Sequence, residues 1–209
     1  MAKKKPPANS RKPKSKAKPS PIPISKTSLQ LAIKNIAEYG DTDVFPFPLE
    51  NHWFFDEPSA VEAQLERLRC LGIDVFDQYP VFATTELCNV GYAGFRPATQ
   101  IDPLWNALFL AAVIEIAPQI EGKRQSIERV FSYRFCPDPA NGSLFAKHGW
   151  KEYQLAALKL ADSFSYVASV DISDFYPRIY HHRLENALRT DCGCDGTIVK
   201  FIDKFLSQI

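Results

Sequence analysis

The segment from Asp102 to Ala117, "DPLWNALFLAAVIEIA", constrains the chain more than any other. Asp102 can accept the first free amides of a helix, and Pro103 suits the first helical position, where its missing N–H costs nothing. The helix that follows is mostly apolar to about Ala117. Asn106 and Glu115 interrupt it, and its apolar run falls short of the ~20 residues that cross a bilayer. The segment therefore reads as a helix of a folded body, and no membrane partner is expected.

Charge divides the chain in two. Residues 1–20 hold Lys3, Lys4, Lys5, Arg11, Lys12, Lys14, Lys16 and Lys18 and no acid. That leaves 17 of the 25 basic side chains to face all 24 acids in the remainder, a net −7. Residues 1–24 are also rich in Pro and Ser and poor in apolar side chains, so they are expected to form a disordered basic tail. Such a tail fits sequence-independent nucleic-acid contact through Lys3, Lys4, Lys5, Arg11, Lys12 and Lys14, or a solvated extension. No apolar stretch follows the charges as in a secretory signal. The five cysteines are an odd number, which favours the reducing cytoplasm over a disulfide framework.

Within the body, Leu29, Ile33 and Ile36 share a face of a helix over residues 29–38, with Ser28 as its cap and Gly40 as its stop. "DVFPFPLENHWFF" reads as a buried non-helical crossing. A helix is expected from Pro58 to Leu71, and "YAGFRPATQ" is expected to be extended. "IERVFSYRF" alternates like a half-buried strand from Val130 to Phe135, "PDPANGS" is a turn, and a helix spans residues 150–164. Residues 166–172, "YVASVDI", read as a strand with Asp171 at its end on the less apolar face. Pro177 then opens a helix with Tyr180, Leu184, Ala187 and Leu188 in one stripe. Thr197 to Ile209 carries Ile198, Phe201, Ile202, Phe205, Leu206 and Ile209 at helical spacing, a stripe with no partner following it. It is expected to leave the chain poorly soluble, oligomeric or frayed.

Several chemistries are excluded by spacing. Ser173 breaks an Asp-x-Asp phosphatase pattern. There is no phosphate-binding glycine loop, no G-x-S-x-G and no H-E-x-x-H. Adjacent His181 and His182 point apart on a helix. "DCGCDG" at 191–196 has Ile202 where a calcium loop needs Glu, so it reads as a plain turn. Arg96 reads equally well as a structural partner for an acid.

"VASVDISDFYPRIYHHRLENAL" resembles the first catalytic motif of reverse transcriptases, in particular the bacterial branch that includes phage-defence and abortive-infection enzymes. "DTDVFPFPLE", "GFRPATQIDPLWNALFLAAVIEIA" and "VFSYRF" resemble the fingers region of the same branch in the same order. The resemblance implies an α/β (α+β), helix-rich right-hand polymerase fold. Residues 25–164 would be fingers-like and residues 165–209 the incomplete start of a palm. It implies two-metal nucleotidyl transfer with Mg²⁺, or Mn²⁺ in its place. Asp171 would be the catalytic carboxylate and metal ligand, with the Ile172 carbonyl as a further oxygen. Tyr176, with Phe175 beside it, would lie under the nucleotide sugar and favour deoxynucleotides. Arg134, Arg124 and Lys123 would hold the triphosphate, and Asp174 would cap the next helix. Implied partners are an RNA template, a DNA product, a deoxynucleoside triphosphate and a complementary palm and thumb chain.

Nothing after residue 176 resembles the Asp-Asp hairpin that the family requires. The chain is therefore expected to be inactive alone, a fragment cut before its site is complete. A non-catalytic nucleic-acid-binding or interaction protein on a degenerate polymerase scaffold is the alternative.

Overall fold

The computed structural model describes residues 19–40, 45, 48–90, 92, 94–146, 149–172, 175 and 178–209. The fold is mixed α/β and helix-rich, with two small antiparallel sheets. Helices α1 (Lys26–Tyr39), α2 (Asn51–Asp56), α3 (Pro58–Cys70) and α4 (Val75–Gln78) come first. Strands β1 (Ala83–Val90) and β2 (Gly94–Ile101) precede α5 (Pro103–Glu121). Then follow β3 (Phe135–Asp138), β4 (Ser143–Phe145), α6 (Trp150–Ala161), α7 (His181–Asn186) and α8 (Gly196–Leu206).

Helix α5 is the centre of the core, packed by α1, α3 and α8. Its start is as the sequence demands, with Asp102 Oδ1 accepting from Leu104 N at 3.0 Å and Trp105 N at 3.2 Å. It runs four residues past Ala117, carrying Pro118 in its last turn. At 19 residues it is long and apolar enough to cross a membrane by length and composition, yet here Trp105, Leu108, Ala111, Ala112, Ile114 and Ile116 are buried inside the fold.

The apolar stripe of α8 is covered, which corrects the expectation of an exposed face. Ile198, Val199, Phe201, Ile202 and Phe205 are buried. Phe205 stacks on Phe109 at 4.4 Å between ring centroids, and Phe201 sits 5.3 Å from Phe76. Phe76 in turn stacks on Trp105 at 5.0 Å. The partner of the stripe lies some 95 residues upstream, so reading forward along the sequence could not find it. Only its last residue, Ile209, stays substantially exposed.

The N-terminal boundary also moves. Ile22 and Ile24 are buried in the main core, so the extended tail does not reach residue 24. Ile22 N donates to Arg69 O at 3.0 Å, and Arg69 Nη1 donates back to Ile22 O at 3.1 Å. Residues 1–18, with the six cations assigned to nucleic acid, lie outside the described residues. The cap of α1 is Ser25, whose hydroxyl accepts from Ser28 N at 3.2 Å. Ser28 is buried instead, bonded to α5.

Four further expectations change. The crossing at residues 43–55 is partly helical, since α2 begins at Asn51 and buries Phe54. Residues 130–134 form a loop, and the strand starts only at Phe135. Residues 166–172 form no strand, and no described strand lies alongside to complete a ladder. The following helix begins at His181, and Tyr180 is exposed. The extended reading of residues 92–100 holds from Gly94 as β2, which pairs with β1 from Ala83↔Ile101 to Val90↔Gly94, whereas Tyr92 lies in a turn and Ala93 lies outside the described residues.

The β3–β4 turn is clamped to α1. Lys34 Nζ donates to Pro139 O at 2.8 Å and Ala140 O at 2.6 Å, and Asn35 Nδ2 donates to Gly142 O at 2.8 Å. Gly142 has φ of 75°, and an added Cβ would come within 3.0 Å of Lys34, so the turn needs glycine twice over.

Candidate functional site

Asp171 sits in the segment between α6 and α7. It is exposed, and its Oδ1 accepts from the Ile172 amide at 2.9 Å. Ile172 and Phe175 are also exposed. Tyr176 and Asp174 lie outside the described residues, so the sugar contact and the cap assigned to them have no geometry here. No three His, Cys, Asp or Glu side chains converge on one point among the described residues. Asp171 and the Ile172 carbonyl are hard oxygen donors of the type that magnesium takes, but they make an incomplete set.

The fingers cations form a second centre. Arg124 Nη1 lies 2.6 Å from Glu121 Oε1, and Arg134 Nη1 lies 3.3 Å from Glu121 Oε2. The Phe135 amide donates to Glu121 Oε1 at 2.9 Å. One carboxylate at the end of α5 thus ties together both ends of the loop 122–134. Arg124 also donates to Tyr133 O at 2.6 Å, Ser132 O at 3.1 Å and the Ser132 hydroxyl. Arg134 donates to Gln125 O. The two guanidinium groups are mostly buried, at 21% and 14% exposure. Burial pushes the Glu121 carboxyl up, but the Phe135 amide and the two arginines outweigh it and hold it below the ordinary carboxylate value.

The structure therefore brings Arg124 and Arg134 together on Glu121, with both Arg124 Nη atoms also donating into the loop and with Arg134 Nε buried without a partner among the described residues. Lys123 is exposed beside them. No described hydrogen bond or ion pair joins Asp171 to this cluster. Glu121 is the residue that sequence reasoning missed. A signal was present: an acid in the last turn of a helix opposes the macrodipole and calls for nearby cations.

The remaining candidates resolve structurally. Asp195 caps α8, accepting from Thr197 N at 2.8 Å and Ile198 N at 3.1 Å, so "DCGCDG" is a turn and a cap. His182 sits near Glu185 and Asn186 of its own helix. Arg96 is exposed on β2, opposite Cys88. All five cysteines are free thiols. Comparison with protein-family models, with curated proteins and with solved structures finds no match.

Proposed function

We propose that this chain supplies the fingers and the first palm carboxylate of a reverse transcriptase-like RNA-directed DNA polymerase of the bacterial phage-defence type, working in the cytoplasm. The observation that carries the reading is the sequence around Asp171, "SVDISDFYPRIYHH". Its support in the structure is an exposed carboxylate whose Oδ1 accepts from the neighbouring Ile172 amide and whose other oxygen meets no partner among the described residues.

Two magnesium ions would supply activation of a primer 3′-hydroxyl and neutralisation of the departing pyrophosphate. Asp171 and the Ile172 carbonyl would contribute oxygens to hold them. The Asp-Asp pair would have to come from polypeptide beyond these residues. Tyr176 would close the space beside the 2′ carbon, and Phe175 would flank it. Lys123 is the fingers cation freest to meet a triphosphate, while Arg124 and Arg134 would have to exchange carbonyl partners to do so.

The test is template-directed incorporation of dTTP on poly(rA)·oligo(dT), using the 209-residue chain and a version extended by the codons that follow it. The chain alone should incorporate nothing. The extended protein should be active, and Asp171→Asn should abolish that activity. Robust synthesis by the short chain, or an extended protein indifferent to Asp171→Asn, refutes the reading.

A second reading, nucleic-acid binding without catalysis, is favoured by the eight cations and no acids among residues 1–20. It predicts salt-sensitive binding that Asp171→Asn leaves unchanged.

A further inference from the structure

Helix α6 has no buried residue, although it carries six large apolar side chains in and just beyond its span. Trp150, Tyr153, Leu155, Leu158, Leu160 and Phe164 are each between 43% and 66% exposed. The helix does have an inner side. Tyr153 lies 6.0 Å from Phe131 in an edge contact, and Glu152 and Ala156 are half-buried. At 100° per residue the opposite side carries Lys151, Leu155, Leu158 and Asp162, spaced by four, three and four. All four are exposed.

That outer line is complementary to itself when read backwards. Two copies of α6 laid antiparallel, with a two-fold axis between Ala156 and Ala157, place Leu155 against Leu158 of the other copy. The same register places Lys151 against Asp162 at both ends. We propose that α6 is the contact surface of a homodimer, and that a second copy of this chain is its occupant. The symmetry is isologous, so every contact occurs twice. The ends pair opposite charges and the centre pairs leucines, with no like charges facing. A parallel arrangement would set Lys151 beside Lys151 and lose both charge pairs.

Area sets the strength. A stable interface buries about 800 Å² per partner, and aromatic side chains bring about 150–250 Å² each. Only Leu155 and Leu158 of the six lie on the outer line, because Tyr153 and Leu160 fall on the inner side, so the contact stays well below that scale and the dimer should be reversible and weak, with Kd of about 0.1 mM or higher.

Sedimentation equilibrium on the 209-residue chain tests this. The wild type should move from monomer to dimer as its concentration approaches about 0.1–1 mM. Leu155→Glu or Leu158→Glu should leave a monomer with an unchanged melting midpoint, since both positions are exposed. Lys151→Glu alone, or Asp162→Lys alone, should raise Kd about tenfold. The double exchange Lys151→Glu with Asp162→Lys should return Kd to within about threefold of the wild type. A wild type that stays monomeric at every concentration overturns the proposal. So does a dimer that tolerates both leucine substitutions, because another face then holds it. Failure of the double exchange to recover affinity overturns the antiparallel register.

Discussion

The carboxylate of Glu115 lies 2.6 Å from the hydroxyl of Ser28, joining the middle of α5 to the first turn of α1 across 87 positions of sequence. The same oxygen accepts from the Ser25 amide at 2.8 Å and the Ser25 hydroxyl at 2.6 Å. Burial pushes this carboxyl up, but the serine hydroxyls and the Ser25 amide outweigh it and hold it below the ordinary value of 4.5. A depressed folded value means stabilisation that is fully present above the unfolded pKa and lost as pH falls through the folded one. Acid unfolding followed by circular dichroism should therefore be steeper in the wild type than in Glu115→Gln. Glu115→Ala should cost roughly 1–3 kcal/mol at neutral pH, because it strands the buried Ser28 hydroxyl.

Phe205 is wedged between Phe109 and Trp105, with ring centroids 4.4 Å and 5.9 Å away. Phe205→Ala should destabilise the fold by about 3–5 kcal/mol in urea melts. Hydrogen exchange over residues 196–206 should rise with it. Protection equal to the wild type would mean that α8 is held by something other than its aromatic face.

Glu121→Gln should keep an acceptor for the Phe135 amide while removing the charge that pairs both arginines. Exchange in the loop 122–134 should accelerate while the rest of the molecule is unchanged, at a cost of about 1–3 kcal/mol. The wild-type loop should loosen in the same way as pH drops below the ordinary carboxylate range, since the Glu121 pKa is lowered in the fold. In Glu121→Gln that acid-dependent step should vanish.

Asp171 is exposed and, among the described residues, holds no other element in place. Asp171→Asn should leave stability within about 0.5 kcal/mol of the wild type, whatever it does to metal-dependent activity. In an active extended protein, Tyr176→Ala should admit ribonucleotides while preserving deoxynucleotide incorporation. Competition between dTTP and UTP measures this, and unchanged discrimination would show that the motif is in the wrong register.

The helical part of the fold was largely legible. α3 and α5 announce themselves by Pro at the first turn, and α8 by its period of apolar residues. The cap of α1 was misplaced by three residues because Ser25 and Ser28 are equally good caps locally. Ser28 is taken inside by Glu115, a partner no local rule can see. Residues 166–172 have strand propensity, but propensity makes a strand only when a neighbour offers a ladder. β1 was missed for the converse reason: its polar, alternating residues bury no face and carry little periodic signal. The reading of Asp171 rests on its sequence motif alone, whereas Glu121 acts through tertiary contacts with Arg124, Arg134 and Phe135.

The two-way clasp between Ile22 and Arg69 has a consequence for the cations that precede it. It fixes a pivot on the body at the end of α3. A chain spans at most about 3.5 Å per residue, so Lys3, the cation furthest from Ile22, reaches no more than ~66 Å from that point. Any polyanion gripped by those lysines is thus kept on a short leash beside the folded body. Contacts too weak to last in free solution become intramolecular, at millimolar local concentration. Proteolysis just before Ile22 would leave every described helix intact and still part those cations from the body.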